Sequence, residues 1–217
     1  MDELKKVLIV FVAHIDDIEL SCLSYIFKHH KSYDTINLYI ASKWNSKQAL
    51  WKTNLKKIRN RCKGTEIIYH NLHYEQRRLM THFDNIKDDF YKKLKFSENI
   101  SFDLMTHDIE DCHTDHVAIA MISKGLFKYT EKYLSIYSPS TISFKPNFWI
   151  SLEDKDYSLK KELCDVYNID NEQSYTKLGY YLQSEDHYNI GSAYEIENFT
   201  KTISKHTECF KILKWRL

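Results

Sequence analysis

Val7-Leu8-Ile9-Val10-Phe11-Val12-Ala13, cut off by His14-Ile15-Asp16-Asp17, is the stretch from which the rest of the chain is read. A continuous apolar run without alternation is the pattern of a strand covered on both faces, as in a parallel sheet. It is therefore expected to be the central strand. Working outward, Ile18, Cys22, Tyr25 and Ile26 fall at helical spacing within 18–31, and a strand-like segment follows at Thr35 to Ala41. The alternation repeats as a helix from Ser46 to Cys62, a strand from Glu66 to Tyr69, a helix near Phe83 to Phe96 and a strand from Phe102 to Thr106. A polar loop, His107 to Cys112, then leads to a helix from Thr114 to Tyr129 and a strand from Tyr133 to Tyr137. Strands alternating with helices predict an α/β fold, a Rossmann-like, doubly wound, mostly parallel sheet with right-handed crossovers. Beyond Pro139 a strand at Thr141 to Ile150 and helices near Leu159 to Tyr167 and Gln173 to Gln183 read as a C-terminal cap region. No flexible linker sets it apart, so 1–217 is expected to be one domain, with 1–138 as its core and 139–217 completing the pocket.

The composition bounds the function. Thirty-one Lys and Arg against 30 Asp and Glu leave a net charge of +1, which gives no field for holding nucleic acid. With 43% hydrophobic and 28% charged residues the chain can bury a full core. Five scattered cysteines, none in a C-x-x-C pair, argue against both a disulfide framework and a thiolate zinc knuckle. The early apolar run is too short for a membrane span and lacks the small residues that end a secretory signal. The expected compartment is the cytoplasm.

Two polar clusters close predicted strands: His14-Ile15-Asp16-Asp17-Ile18-Glu19 after the first and His113-Thr114-Asp115-His116 after the fourth. With 11 His and 16 Asp in 217 residues, H-x-D-D arises by chance in about 6% of such chains and H-x-D-H in about 4%, so neither is specific alone. Their joint placement is. In a sheet ordered 3-2-1-4-5, strands one and four are neighbours, and ligands bind in the crevice between their carboxyl ends. Imidazoles and carboxylates converging there suit zinc or another first-row divalent metal, and two His with one carboxylate leave a position open for water.

These residues resemble a known family. Ala13-His14-Ile15-Asp16-Asp17-Ile18-Glu19 is similar to the A-H-P-D-D-x-E signature of the LmbE-like (PIG-L) metal-dependent N-acetylglucosaminyl de-N-acetylases. Asp103 to His107 with Asp111 to His116 is similar to their D-x-x-x-T-H and D-x-H-x-D-H segment. Weaker likeness runs through Phe144 to Asn147 and Gly191 to Glu195 as far as Phe199. Ile15 stands in place of the family's proline, Ser21-Cys22-Leu23-Ser24 in place of a glycine-rich helix start, and Trp51-Lys52-Thr53-Asn54 where the second helix usually carries an arginine and a glutamate. The resemblance implies a zinc-dependent hydrolase that removes acetate from a small N-acetylated amino sugar or its conjugate. It implies that His14, Asp17 and His116 bind the metal, that Asp16 is the general base, and that His113, oriented by Asp115, stabilises the oxyanion or protonates the leaving amine. These roles fit general chemistry: a carboxylate beside a metal takes the proton of the attacking water, and a donor opposite it meets the developing charge.

Plainer readings compete. Asp16-Asp17 alone would read as a helix cap, and Asp115 as a first-turn acid. Capping leaves the flanking histidines unexplained. His107 and Asp111 read equally well as pocket rim or as polar loop. Lys56, Lys57, Arg59 and Arg61 read as a solvated helix face, Glu19 as structural, and Cys112 as incidental. A metal-dependent phosphoesterase would want two metals and more carboxylates. A non-catalytic carbohydrate-binding relative would have no use for a general base.

Overall fold

The computed structural model describes residues 5–43, 48–94, 100–138, 140–141, 144–166 and 207–215. Its frame is a seven-stranded sheet: β1 (Lys5–Val12), β2 (Thr35–Ser42), β3 (Glu66–Tyr74), β4 (Ile100–His107), β5 (Lys132–Ile136), β6 (Phe148–Ser151) and β7 (Thr207–Trp215). The order is β3-β2-β1-β4-β5-β7-β6, with the first five parallel and β7 antiparallel to both its neighbours. The helices are α1 (Asp17–Ser21), α2 (Leu23–His29), α3 (Gln48–Arg61), α4 (Phe83–Leu94), α5 (Thr114–Lys124) and α6 (Asp154–Asp165). This is the expected doubly wound α/β architecture.

The apolar run of β1 is unbroken because both of its faces are roofed. Leu8, Val10 and Val12 join the core shared with α1, α2 and α3, while Val7, Ile9 and Phe11 join the one shared with α4 and α5. Phe11 stacks on Phe90 of α4 with ring centroids 3.8 Å apart, a geometry worth about 0.5–1.5 kcal/mol beyond area burial. Asp103 of β4 belongs to the frame and not to the site: it lies midway along the strand, where it accepts from Tyr33 Oη at 2.6 Å and from the Lys132 amide at 3.0 Å.

Three expectations change. First, the stretch assigned to a cap supplies two strands to the main sheet. One of them, β7, was not anticipated and slots between β5 and β6. Ladder pairing by β6 begins at Phe148, just after Asn147, whose amide donates to the Phe210 carbonyl at 3.1 Å, and Thr141 makes an isolated bridge with Asp111. Second, the helix expected over 18–31 is divided at Cys22, whose φ of −124° leaves the helical range. At that break the Leu20 carbonyl accepts from Lys160 Nζ at 2.7 Å and the Ser24 amide donates to Glu208 Oε2 at 3.0 Å. The two ends of what would be one i to i−4 helix bond are thus turned to an inserted Lys160–Glu208 ion pair, a recognised cause of helix breaks. Third, the helix expected to run to Tyr129 stops at Lys124, and a 3-10 turn spans Phe127–Tyr129. The helix expected at Gln173 to Gln183 and the likeness from Gly191 to Phe199 lie outside the described residues.

Candidate metal centre and active site

Strands β1 and β4 pair in parallel register from Lys5↔Ile100 to Phe11↔Thr106, so both polar clusters leave the sheet at the same edge. His14, Asp16 and Asp17 come from the turn into α1. His113 is the N-cap of α5, which places Asp115 and His116 in that helix's first turn. All six sequence-predicted residues meet here, and His14, Asp16, Asp17, His113 and His116 line a pocket of about 290 Å³ with Gln76, Arg77, Ser138 and Ser140.

Within the pocket His14 Nδ1, His116 Nε2 and the Asp17 carboxylate form a triangle. Its sides are 3.2 Å between the two nitrogens, 3.5 Å from His14 Nδ1 to Asp17 Oδ2, and 3.6 Å from His116 Nε2 to Asp17 Oδ1. Tetrahedral coordination with bonds of about 2.0–2.1 Å has an edge of about 3.3–3.4 Å, so these separations, which reach the two oxygens of Asp17, lie close to those between ligands of a zinc site.

Hydrogen bonding fixes which nitrogen of each ring is free. His116 Nδ1 lies 2.9 Å from Asp111 Oδ2 and His14 Nε2 lies 3.1 Å from Asp115 Oδ2. A carboxylate can only accept, so each ring places a proton on that side and turns its other nitrogen inward. These two facing nitrogens, 3.2 Å apart, must share a cation, either a proton or a metal ion. Burial pulls the His14 imidazole down, but hydrogen bonds to Asp115 and Asp17 outweigh it and push the group up to about 10. Burial likewise acts to raise Asp17, while the imidazoles of His116 and His107 hold its carboxyl well below the usual range. For Asp111 the bond from His116 overcomes burial and brings the carboxyl down to about 2. The donor set fits a divalent metal.

Other groupings of these side chains do not. The rings of His107 and His116 stack at 3.8 Å with only 10° between their planes, so their in-plane lone pairs cannot converge on one ion. In the set of His14, His113 and Asp115, the first and last are already bonded to each other.

Asp115 departs from its expected role. Its carboxylate engages His14 and the backbone amides of Arg77 at 2.6 Å and Leu79 at 3.0 Å, rather than the ring of His113. His113 is instead held by a backbone bond, its Nδ1 accepting from the Asp115 amide at 3.2 Å. Accepting at Nδ1 requires a lone pair there, which makes His113 a neutral imidazole with its proton on Nε2. Burial, aided by the neighbouring imidazoles of His116 and His14, moves this group below its usual value in the same sense. As a neutral imidazole, His113 keeps a proton on Nε2.

Two residues left open by sequence belong to the site. His107, almost fully buried, places Nε2 at 3.2 Å from Asp17 Oδ2 and accepts from the Ala13 amide at 3.1 Å. Asp111 orients His116 and also accepts from the His113 amide at 2.8 Å. The signal for His107 was its place at the end of β4, mirroring His14 after β1. Gln76, Arg77, Ser138 and Ser140 carried no such signal. Around Trp51 to Asn54 the second-helix face is core: Trp51 is fully buried, and Asn54 donates to Glu19 Oε1 and to the Leu163 carbonyl, both at 3.0 Å. Lys57, Arg59 and Arg61 tie α3 to Glu162, to the Ile67 carbonyl and to Asp156. Among the described residues no helix is long and apolar enough to cross a membrane.

No protein-family model and no curated protein matches this sequence. Solved structures do. N,N'-diacetylchitobiose deacetylase from Pyrococcus horikoshii aligns with a TM-score of 0.64 at 15% identity, over 96% of this chain and 84% of that one. The conserved protein TT1542 from Thermus thermophilus gives 0.66 at 13%, over 97% and 96%. The zinc-inhibited form of teicoplanin deacetylase Orf2 gives 0.58 at 10%, over 95% and 98%. The 4-carboxy-2-hydroxymuconate hydratase GalB from Pseudomonas putida KT2440 also aligns, at 0.56 and 13%, over 98% of each chain. What these similarities establish is a fold shared with deacetylases and with a hydratase.

Proposed function

We propose that this chain is a zinc-dependent hydrolase of the LmbE-like kind, removing the N-acetyl group from a small N-acetylated amino sugar or its conjugate. A fold shared with a hydratase cannot by itself specify the reaction. The observation that carries the reading is the triangle of His14, Asp17 and His116, with a carboxylate behind each imidazole. Proteins of similar structure include deacetylases of chitobiose and teicoplanin, which supports an amide of that class as substrate.

His14, Asp17 and His116 would hold the metal, which when bound polarises an amide carbonyl and acidifies a water molecule. Asp16 lines the same pocket beside these groups and takes the proton of the attacking water. His113 presents its Nε2 proton to the developing oxyanion as a neutral donor. Asp115 and Asp111 act through the rings they hold, fixing His14 and His116 with their lone pairs inward. The test is acetate release by zinc-loaded protein from N-acetylglucosamine conjugates, nucleotide sugars and chitooligosaccharides. Release should stop on chelation and return with zinc. Zinc bound at this site with no release from any of these amides would overturn the reading.

A further inference from the structure

Arg77 occupies a backbone position that suits glycine. Its φ is +62°, in the left-handed region where a Cβ meets the backbone, and it shares that property among the described non-glycine residues only with His73. His73 is explained locally, since its amide donates to Asn71 Oδ1 at 2.7 Å. The Arg77 turn is held by Asp115, which takes the amides of Arg77 and Leu79. Those bonds use main-chain atoms only. Glycine would make them equally well without strain, so they account for the turn and leave the arginine side chain unexplained.

The location of the residue, exposed at the mouth of the site, supplies the explanation. Arg77 lines the metal pocket and is the one Lys or Arg among the described lining residues. Arg78 beside it pairs with Glu75 at 3.5 Å, whereas no described carboxylate forms an ion pair with Arg77. The same pocket carries Asp16 and Asp17, which repel an anionic group on a substrate, so Arg77 is the lining residue whose charge would draw one in. A guanidinium in this setting suits the flat, two-oxygen face of a phosphate or carboxylate.

We infer that Arg77 is a substrate-binding residue that selects amides carrying an anionic group, phosphate or carboxylate. The inference rests on the hydrolase reading above for the identity of the amide. Asp115 would then serve two ends at once, orienting His14 and fixing the turn that presents Arg77.

The test uses the zinc-loaded full chain and four probes. N-acetylglucosamine 1-phosphate, N-acetylglucosamine 6-phosphate and N-acetylmuramic acid are anionic, and methyl N-acetylglucosaminide is neutral. Binding is measured by calorimetry, separately from acetate release. At least one anionic sugar should bind about 10–100-fold more tightly than the neutral one, the scale of a hydrogen bond to a charged group. Arg77→Gly should abolish that preference, bringing the anionic sugars to the affinity of the neutral one, and keep or raise the melting temperature, since glycine relaxes the turn. Arg77→Lys should keep part of the preference. Whether phosphate or carboxylate gains more identifies the anion. Anionic and neutral sugars binding alike, or a preference that survives Arg77→Gly, would overturn the inference. If the Arg77-dependent preference holds but no probe releases acetate, the hydrolase reading fails and the anion site stands. If acetate is released with no dependence on Arg77, the reverse applies.

Discussion

Asp115 Oδ2 lies 3.1 Å from His14 Nε2, joining the first turn of α5 to the turn after β1 across 101 positions of sequence. A residue expected to serve its neighbour His113 serves a candidate metal ligand. Asp115→Asn is therefore expected to weaken zinc binding about 10–100-fold, the usual effect of removing a carboxylate behind a ligating histidine. Zinc competition against a chromogenic chelator measures it. Unchanged zinc affinity would return Asp115 to the role first read from the sequence.

Adjacent acids should behave differently. Asp16→Asn should leave zinc content intact and lower turnover about a hundredfold or more, the scale of a lost general base. Asp17→Asn removes one corner of the proposed metal triangle and should lower zinc content as well. Metal analysis beside kinetics separates the two. Equal metal loss in both variants would mean that the roles are wrongly divided.

His113→Ala should act on kcat more than on KM, because a donor to the oxyanion acts mainly in the transition state. Its ring stacks on His116 at 4.5 Å without sharing the metal triangle, so zinc should stay bound. A raised KM with kcat unchanged would make His113 a ground-state binding residue instead.

Lys160 and Glu208 form an ion pair of which each side chain is only 1% exposed. Lys160→Met or Glu208→Gln alone leaves a buried partner charge and should cost about 3–5 kcal/mol, whereas replacing both should cost less than the sum. Denaturant unfolding of the single and double variants checks this. Additive losses would show that the two side chains act separately.

Thiol chemistry should single out Cys112. It is exposed, while Cys22, Cys62, Cys164 and Cys209 are buried. Burial pushes the Cys62 thiol up to about 12 and raises the other three as well, so all four remain protonated at about pH 8. Native protein should show one fast-reacting thiol with a maleimide and five after unfolding. A second fast thiol would locate an opening in the core.

The parallel core and the meeting place of the site are written locally in the residues. The unbroken Val7 to Ala13 run has no simpler reading than a strand roofed on both sides. Once β1 and β4 are neighbours, His14, Asp16, Asp17, His113, Asp115 and His116 must leave the sheet at one edge. Those signals are local, carried by residues within one turn or one strand. Tertiary structure decided what depends on partners distant in sequence. Nothing near Asp115 shows that it will face His14, because the two lie 101 positions apart and meet only through the pairing of β1 with β4. Nothing near Cys22 shows that the helix breaks there, because the break is made by Lys160 and Glu208, brought to it from α6 and β7. Arg77 in a left-handed turn was equally invisible, since φ is set by the amide bonds to Asp115 and leaves no mark on residue type. In each case long-range electrostatics and hydrogen bonding overrode the local preference, and periodicity carries no record of such contacts.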